Sequence, residues 1–153
     1  MIYALFNHTK QMLLLIRLGQ KALKIPIVGS FLSRTTEYVI RIYFSSDISC
    51  HAQIPSDTIF VHGHDIVIGK DAVIGNRCKI FNGVTLGNKD TEGPNNAHPI
   101  IGDDCVISTG AKILGGITIG ARTIVGANAV VITDIPSDSI AIGVPAKVRP
   151  RKT

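Results

Sequence analysis

Residues 101–131 read IGDDCVISTGAKILGGITIGARTIVGANAVV. Ile101, Ile107, Ile113, Ile119, Val125 and Val131 fall on one register, each six residues after the last. Toward the N-terminus, Ile68, Ile74, Ile80 and Leu86 keep the same period on another register. Ile48, Ile54 and Phe60 carry it more weakly before it slips by two residues at HGHD (62–65). Glycine follows Ile68, Ile74, Leu86, Ile101, Ile119 and Val125, and four positions after the large residues stand Ala72, Cys78, Val84, Cys105, Ala111, Thr123 and Ala129. A period of six matches neither a helix nor simple strand alternation. It reads as a short strand, a turn and another short strand, with one large residue inward each time: a parallel β-helix, mainly β in class. Neighbouring coils stack about 4.8 Å apart, so a small corner residue is a packing requirement.

The rest of the composition agrees. The 153 residues contain no Trp and 5% aromatics, so the core must be filled by small and β-branched side chains, which suits closely spaced strands. Residues 1–46 hold six basic residues (Lys10, Arg17, Lys21, Lys24, Arg34, Arg41) against Glu37, whereas ten bases balance ten acids from Asp47 onward. A second basic cluster (Lys147, Arg149, Arg151, Lys152) closes the chain. A neutral body with basic ends and no interleaved aromatics is not a nucleic-acid groove. Cys50, Cys78 and Cys105 show no ligand spacing and read as buried reduced thiols of a cytoplasmic protein. The apolar MLLLI (12–16) is too short to span a bilayer, and no small-residue cleavage site follows it.

Two units are expected. Residues 1–46 form an N-terminal helical segment: HTKQMLLLIRLGQKAL and SFLSRTTEYVIRIYF read as helices split by KIPIVG. Their basic faces are compatible with peripheral contact at an anionic inner membrane face, although packing on the solenoid or a sister subunit is the favoured reading. Residues 47–150 form the β-helix, interrupted at 87–100 by the polar GNKDTEGPNNAHPI. A loop inserted in a solenoid protrudes from one edge, where long loops often carry function.

GVTLG (83–87), the loop ending HPI (98–100), GDDCVISTGAKILGGITIGARTIVGANAVVITDIP and the closing GVPAK (143–147) resemble the serine acetyltransferase branch of the hexapeptide acyltransferases. The resemblance covers about two-thirds of the chain. It implies a left-handed coil, a homotrimer, acetyl-CoA as donor, and active sites at the seams between subunits; independently, the residue spacings lead us to expect no metal. The family's catalytic Asp and His lie fifteen positions apart, a spacing that Asp47 and His62 match. His98 corresponds to its second active-site histidine. Gly87, Asn88, Thr109, Gly110, Gly126, Ala127 and Lys147 are the expected donor contacts.

The chemistry is coherent on its own terms. A hydroxyl needs a base working near neutral pH, which imidazole supplies. A carboxylate on the far ring nitrogen fixes the tautomer and stabilises the imidazolium, and His98 or backbone N–H groups can meet the oxyanion. Small residues along one edge let an extended pantetheine arm lie close to backbone, and the C-terminal bases can meet phosphates.

Two departures bear on the acceptor. The family carries an Asp immediately before the catalytic His and an Arg before the loop His; here those positions are Val61 and Ala97. A site without either charge is poorly equipped to grip a zwitterion. The sequence therefore points to O-acetylation of a sugar of a surface polysaccharide or its precursor. Serine O-acetylation for cysteine biosynthesis is the alternative, and a non-catalytic solenoid scaffold is the reading from another class. A zinc site built on His62 and His64 would need further ligands, for which His51 is the one nearby candidate.

Overall fold

The computed structural model describes residues 7–89 and 97–151. From Asp47 onward the chain winds as a left-handed parallel β-helix of three stacked faces. The first face holds the strands Asp47–Ile48, Val67–Ile68, Thr85–Gly87, Lys112–Leu114 and Val130–Val131. The second holds Val73–Ile74, Ile100–Ile101 and Thr118–Ile119. The third holds Ile59–Val61, Lys79–Phe81, Val106–Ile107, Ile124–Val125 and Ser139–Ile142, closed by the antiparallel strand Lys147–Pro150.

The six-residue period becomes a coil of three short strands. Val67 pairs with Thr85 and Ile100 with Thr118, eighteen residues on in each case. Asp47 instead pairs with Val67, twenty residues on, so the slip at HGHD adds two residues to the first coil. Val73 pairs with Ile100, twenty-seven residues on, so the insertion after Gly87 adds nine. Neither disturbs the ladder on either side, because the extra residues leave the coil at corners.

Each face sends one column inward: Ile48, Ile68, Leu86, Ile113 and Val131 from the first, Ile54, Ile74, Ile101, Ile119 and Ile135 from the second, and Phe60, Ile80, Ile107, Val125 and Ala141 from the third, all buried. Each large side chain so buried contributes roughly 1.5–3 kcal/mol. The corner residues Ala72, Cys78, Val84, Cys105, Ala111, Thr123 and Ala129 are fully buried as well, as close stacking requires. Gly75 shows how close: a Cβ there would lie 2.6 Å from the backbone nitrogen of Asp103.

Two helices close the first coil. Helix α1 (His8–Ala22) starts at Asn7, whose side chain accepts from the Lys10 N–H, satisfying one otherwise orphaned donor. Helix α2 (Gly29–Phe44) ends at Ser45 in a left-handed conformation. Their inward stripes, Met12 and Ile16 with Ile40 and Phe44, join the solenoid core. Polar ties fix the hairpin in place: Thr9 Oγ1 donates to the Phe60 carbonyl at 2.6 Å, Gln20 Nε2 to that of Ala52 at 2.9 Å, and the Cys50 N–H to Glu37 Oε1 at 2.7 Å.

Candidate active site

The corner between the third and first faces carries the HGHD slip. His62 (φ 53°) and Asp65 (φ 55°) both adopt left-handed backbone, and the His64 N–H donates to the His62 carbonyl at 2.7 Å. The extra residues thus bulge outward, leaving both histidines exposed. Gly63 stays buried against Met12, whose Cε would lie 3.1 Å from a Cβ added there. His62 and His64 line a hollow of about 370 Å³ with His8, Tyr43, Phe44 and Ser45.

Asp47 opens the first strand two residues beyond Ser45. Its carboxylate accepts from Arg41 Nη2 at 2.7 Å, with both side chains more than half exposed. That hydrogen bond and the carboxylate charge raise the Arg41 pKa. Among the described residues no hydrogen bond joins Asp47 to His62.

His98 stands at the next corner, between the first and second faces. Its ring lies over Gly69, where any side chain would collide with it. The imidazole is only 8% exposed, and Nδ1 is 3.6 Å from Asp71 Oδ2, too long for a hydrogen bond. Nδ1 is buried with no hydrogen-bond partner among the described residues. Residues 90–96, most of the polar insertion, lie outside the described residues, as does Lys152.

The expected donor contacts divide between the two corners. Gly87 ends the first-face strand on the His98 side, and Asn88 follows it. Thr109, Gly110, Gly126 and Ala127 lie on the His62 side, two and three coils beyond His62. There the corner is bound tightly to itself: the Gly110 N–H donates to the Asn82 carbonyl and the Asn128 N–H to that of Thr109, both at 2.9 Å. Gly110 has φ 72° and abuts Asn128, so glycine is needed for both backbone and space. Lys147 and Arg149 lie on the final antiparallel strand, whereas Arg151 is engaged elsewhere, its Nη1 donating to the Arg122 carbonyl at 3.1 Å.

One chain therefore does not bring His62 and His98 together. Four residue steps along the chain, spanning roughly 13 Å and carrying the strand Val67–Ile68, separate Asp65 at one corner from Gly69 at the other. Sequence reasoning missed Arg41 as the partner of Asp47 and Asp71 as the neighbour of His98. Neither belongs to a motif, and each contact depends on how separate elements meet in space.

The family pattern described as "Bacterial transferase hexapeptide (six repeats)" matches residues 98–133. The serine acetyltransferase of Synechococcus elongatus is 34% identical over 125 residues, covering 82% of this chain and 49% of that protein. That of Bacillus subtilis is 41% identical over 118 residues, covering 77% and 54% respectively. The chain thus spans about half the length of these curated relatives. Among solved structures, soybean serine acetyltransferase complexed with serine superposes with a TM-score of 0.88 at 33% identity, covering 96% of this chain and 60% of that one. The Brucella abortus serine acetyltransferase in complex with coenzyme A gives 0.87 at 27% identity, covering 94% and 56%.

Proposed function

This chain belongs to the hexapeptide-repeat acyltransferases, on their serine acetyltransferase-like branch, and we propose that it transfers an acetyl group from acetyl-CoA to the hydroxyl of serine. The relatives named above favour serine over the polysaccharide sugar expected from Val61 and Ala97. Those two residues leave open which groups hold the zwitterion. Asp65, exposed in the same bulge as His62, is the carboxylate we assign to the serine ammonium group.

The observation that carries this reading is the division of site residues between two corners. A second copy, laid so that its His98 corner meets the first copy's His62 corner, would complete the set. We therefore assign the active sites to the seams of a homotrimer, as cyclic symmetry repeats the same contact at each seam. His62 removes the proton from the acceptor hydroxyl as its oxygen attacks the thioester carbonyl. Asp47 turns from Arg41 to hold the imidazole and stabilise its cation. His98 of the neighbouring copy faces the tetrahedral oxyanion. Collapse breaks the carbon–sulfur bond, and the imidazolium returns its proton to the departing thiolate. Gly87, Asn88, Thr109, Gly110, Gly126 and Ala127 line the pantetheine path, and Lys147 meets the nucleotide phosphates.

Release of free thiol from acetyl-CoA, followed with serine as acceptor, tests the proposal. Turnover with serine that disappears in His62→Ala supports it. Turnover with sugar hydroxyls alone would restore the polysaccharide reading, and no turnover with any hydroxyl would leave the scaffold.

A further inference from the structure

Among the described residues nothing covers the outer side of the helix hairpin, which is apolar and cationic. At its tip Ile25, Ile27, Val28 and Phe31 are all exposed, Phe31 by 73% and Ile27 completely. Leu18 and Leu32 continue the apolar surface down the groove between α1 and α2. Around this tip stand Lys21, Lys24 and Arg34, and among the described residues none of them is in an ion pair. The one acid of residues 1–46, Glu37, faces inward to the Cys50 N–H.

Ile27 adds an independent observation. Its φ is 68°, a left-handed conformation that β-branched residues rarely adopt and that glycine or asparagine takes without strain. Its fully exposed side chain gains nothing from packing within the chain. Backbone strain of this kind clusters at functional sites, and here it holds an apolar side chain out in water.

We propose that this hairpin tip docks on an anionic bilayer surface. Ile25, Ile27, Val28 and Phe31 enter the headgroup boundary, while Lys21, Lys24 and Arg34 meet lipid phosphates. The mode is peripheral, because no described helix is long and apolar enough to cross a membrane. Charge decides against a second copy of the chain as occupant: a two-fold pairing would set this uncompensated cationic rim against itself. Single-tip docking is independent of the acetyl-transfer reading. Only its multiplication rests on the proposed trimer, where symmetry puts three tips at one end of the assembly and raises avidity.

Flotation of the full chain with vesicles tests this. Binding is expected to phosphatidylcholine vesicles containing phosphatidylglycerol and not to phosphatidylcholine alone, and it should weaken as salt rises. Lys21→Gln and Lys24→Gln should each lower the partition coefficient about five-fold. Ile27→Gly separates docking from folding: it should keep or raise the thermal midpoint while weakening binding. Thiol release with soluble acceptor should be unchanged in all three variants. Equal binding to neutral vesicles, or full binding by Ile27→Gly, would overturn the proposal. So would light scattering in which Ile27→Asp halves the mass of the free protein, because the face would then be covered by a second copy.

Discussion

Asp47 has two claims on it. The structure gives it to Arg41 at 2.7 Å, and the proposed chemistry needs it on His62. Both side chains of the existing pair are open to solvent, at 59% and 58% exposure, and exposed pairs of this kind shift an equilibrium by at most about five-fold. Arg41 therefore restrains Asp47 only weakly. Arg41→Gln should raise kcat/KM by a factor between one and about five, because more of the enzyme then holds Asp47 free for His62. Asp47→Asn removes the carboxylate that stabilises the imidazolium and should lower kcat by about 10²–10⁴. The double variant should match Asp47→Asn alone, since Arg41 acts only through the carboxylate. Initial rates of thiol release from acetyl-CoA over a range of serine concentrations give kcat and kcat/KM for all three. A tenfold or greater loss in Arg41→Gln would refute the reasoning, because the ion pair would then be part of the working site.

Packing and pH supply further expectations. Ile107→Ala empties a fully buried position in the third-face column and should cost about 2–5 kcal/mol in denaturant unfolding. Gly75→Ala would force a Cβ to 2.6 Å from backbone and should cost about 1–3 kcal/mol. At Gly87 the nearest side-chain atom would be 3.4 Å away, so Gly87→Ala should unfold like the parent while binding CoA more weakly. Along the corner between the second and third faces, hydrogen bonds from Arg77 and Arg122 lower the pKa of Asp104 and Asp138 respectively, below the ordinary value of 3.8. A depressed carboxylate contributes stability above its unfolded pKa and loses it as pH falls through the folded value. An Arg77→Gln/Arg122→Gln variant should therefore melt below the parent at neutral pH and converge with it in strong acid.

Much of the fold was legible because a β-helix repeats one physical requirement at every coil. Ile101, Ile107 and Ile113 must point inward and Cys105 and Ala111 must be small, so the period exposes the architecture without any long-range contact. The two irregularities were equally visible, since an extra pair at HGHD and nine residues after Gly87 displace the register around them. His62 and His98, the side chains proposed for a hydroxyl-activating site, are singled out by motif alone. Their arrangement is not. Which corner each occupies depends on counting coils through both irregularities, and the Arg41–Asp47 pair depends on where α2 ends relative to the first coil. The acceptor was the hardest inference, because Val61 and Ala97 show what is missing from a binding site and not what replaces it.

If each proposed site is shared between two copies of the chain, two inactive variants should complement each other. His62→Ala and His98→Ala, each expected to be inactive alone, are co-expressed in equal amounts so that the proposed trimers mix the two chains. A seam works only where a chain retaining His62 meets a chain retaining His98. Random assembly should then restore about one quarter of parental thiol release per chain. Activity remaining at the level of the separate variants, in trimers shown to contain both chains, would place both histidines in one protomer's site and contradict the account.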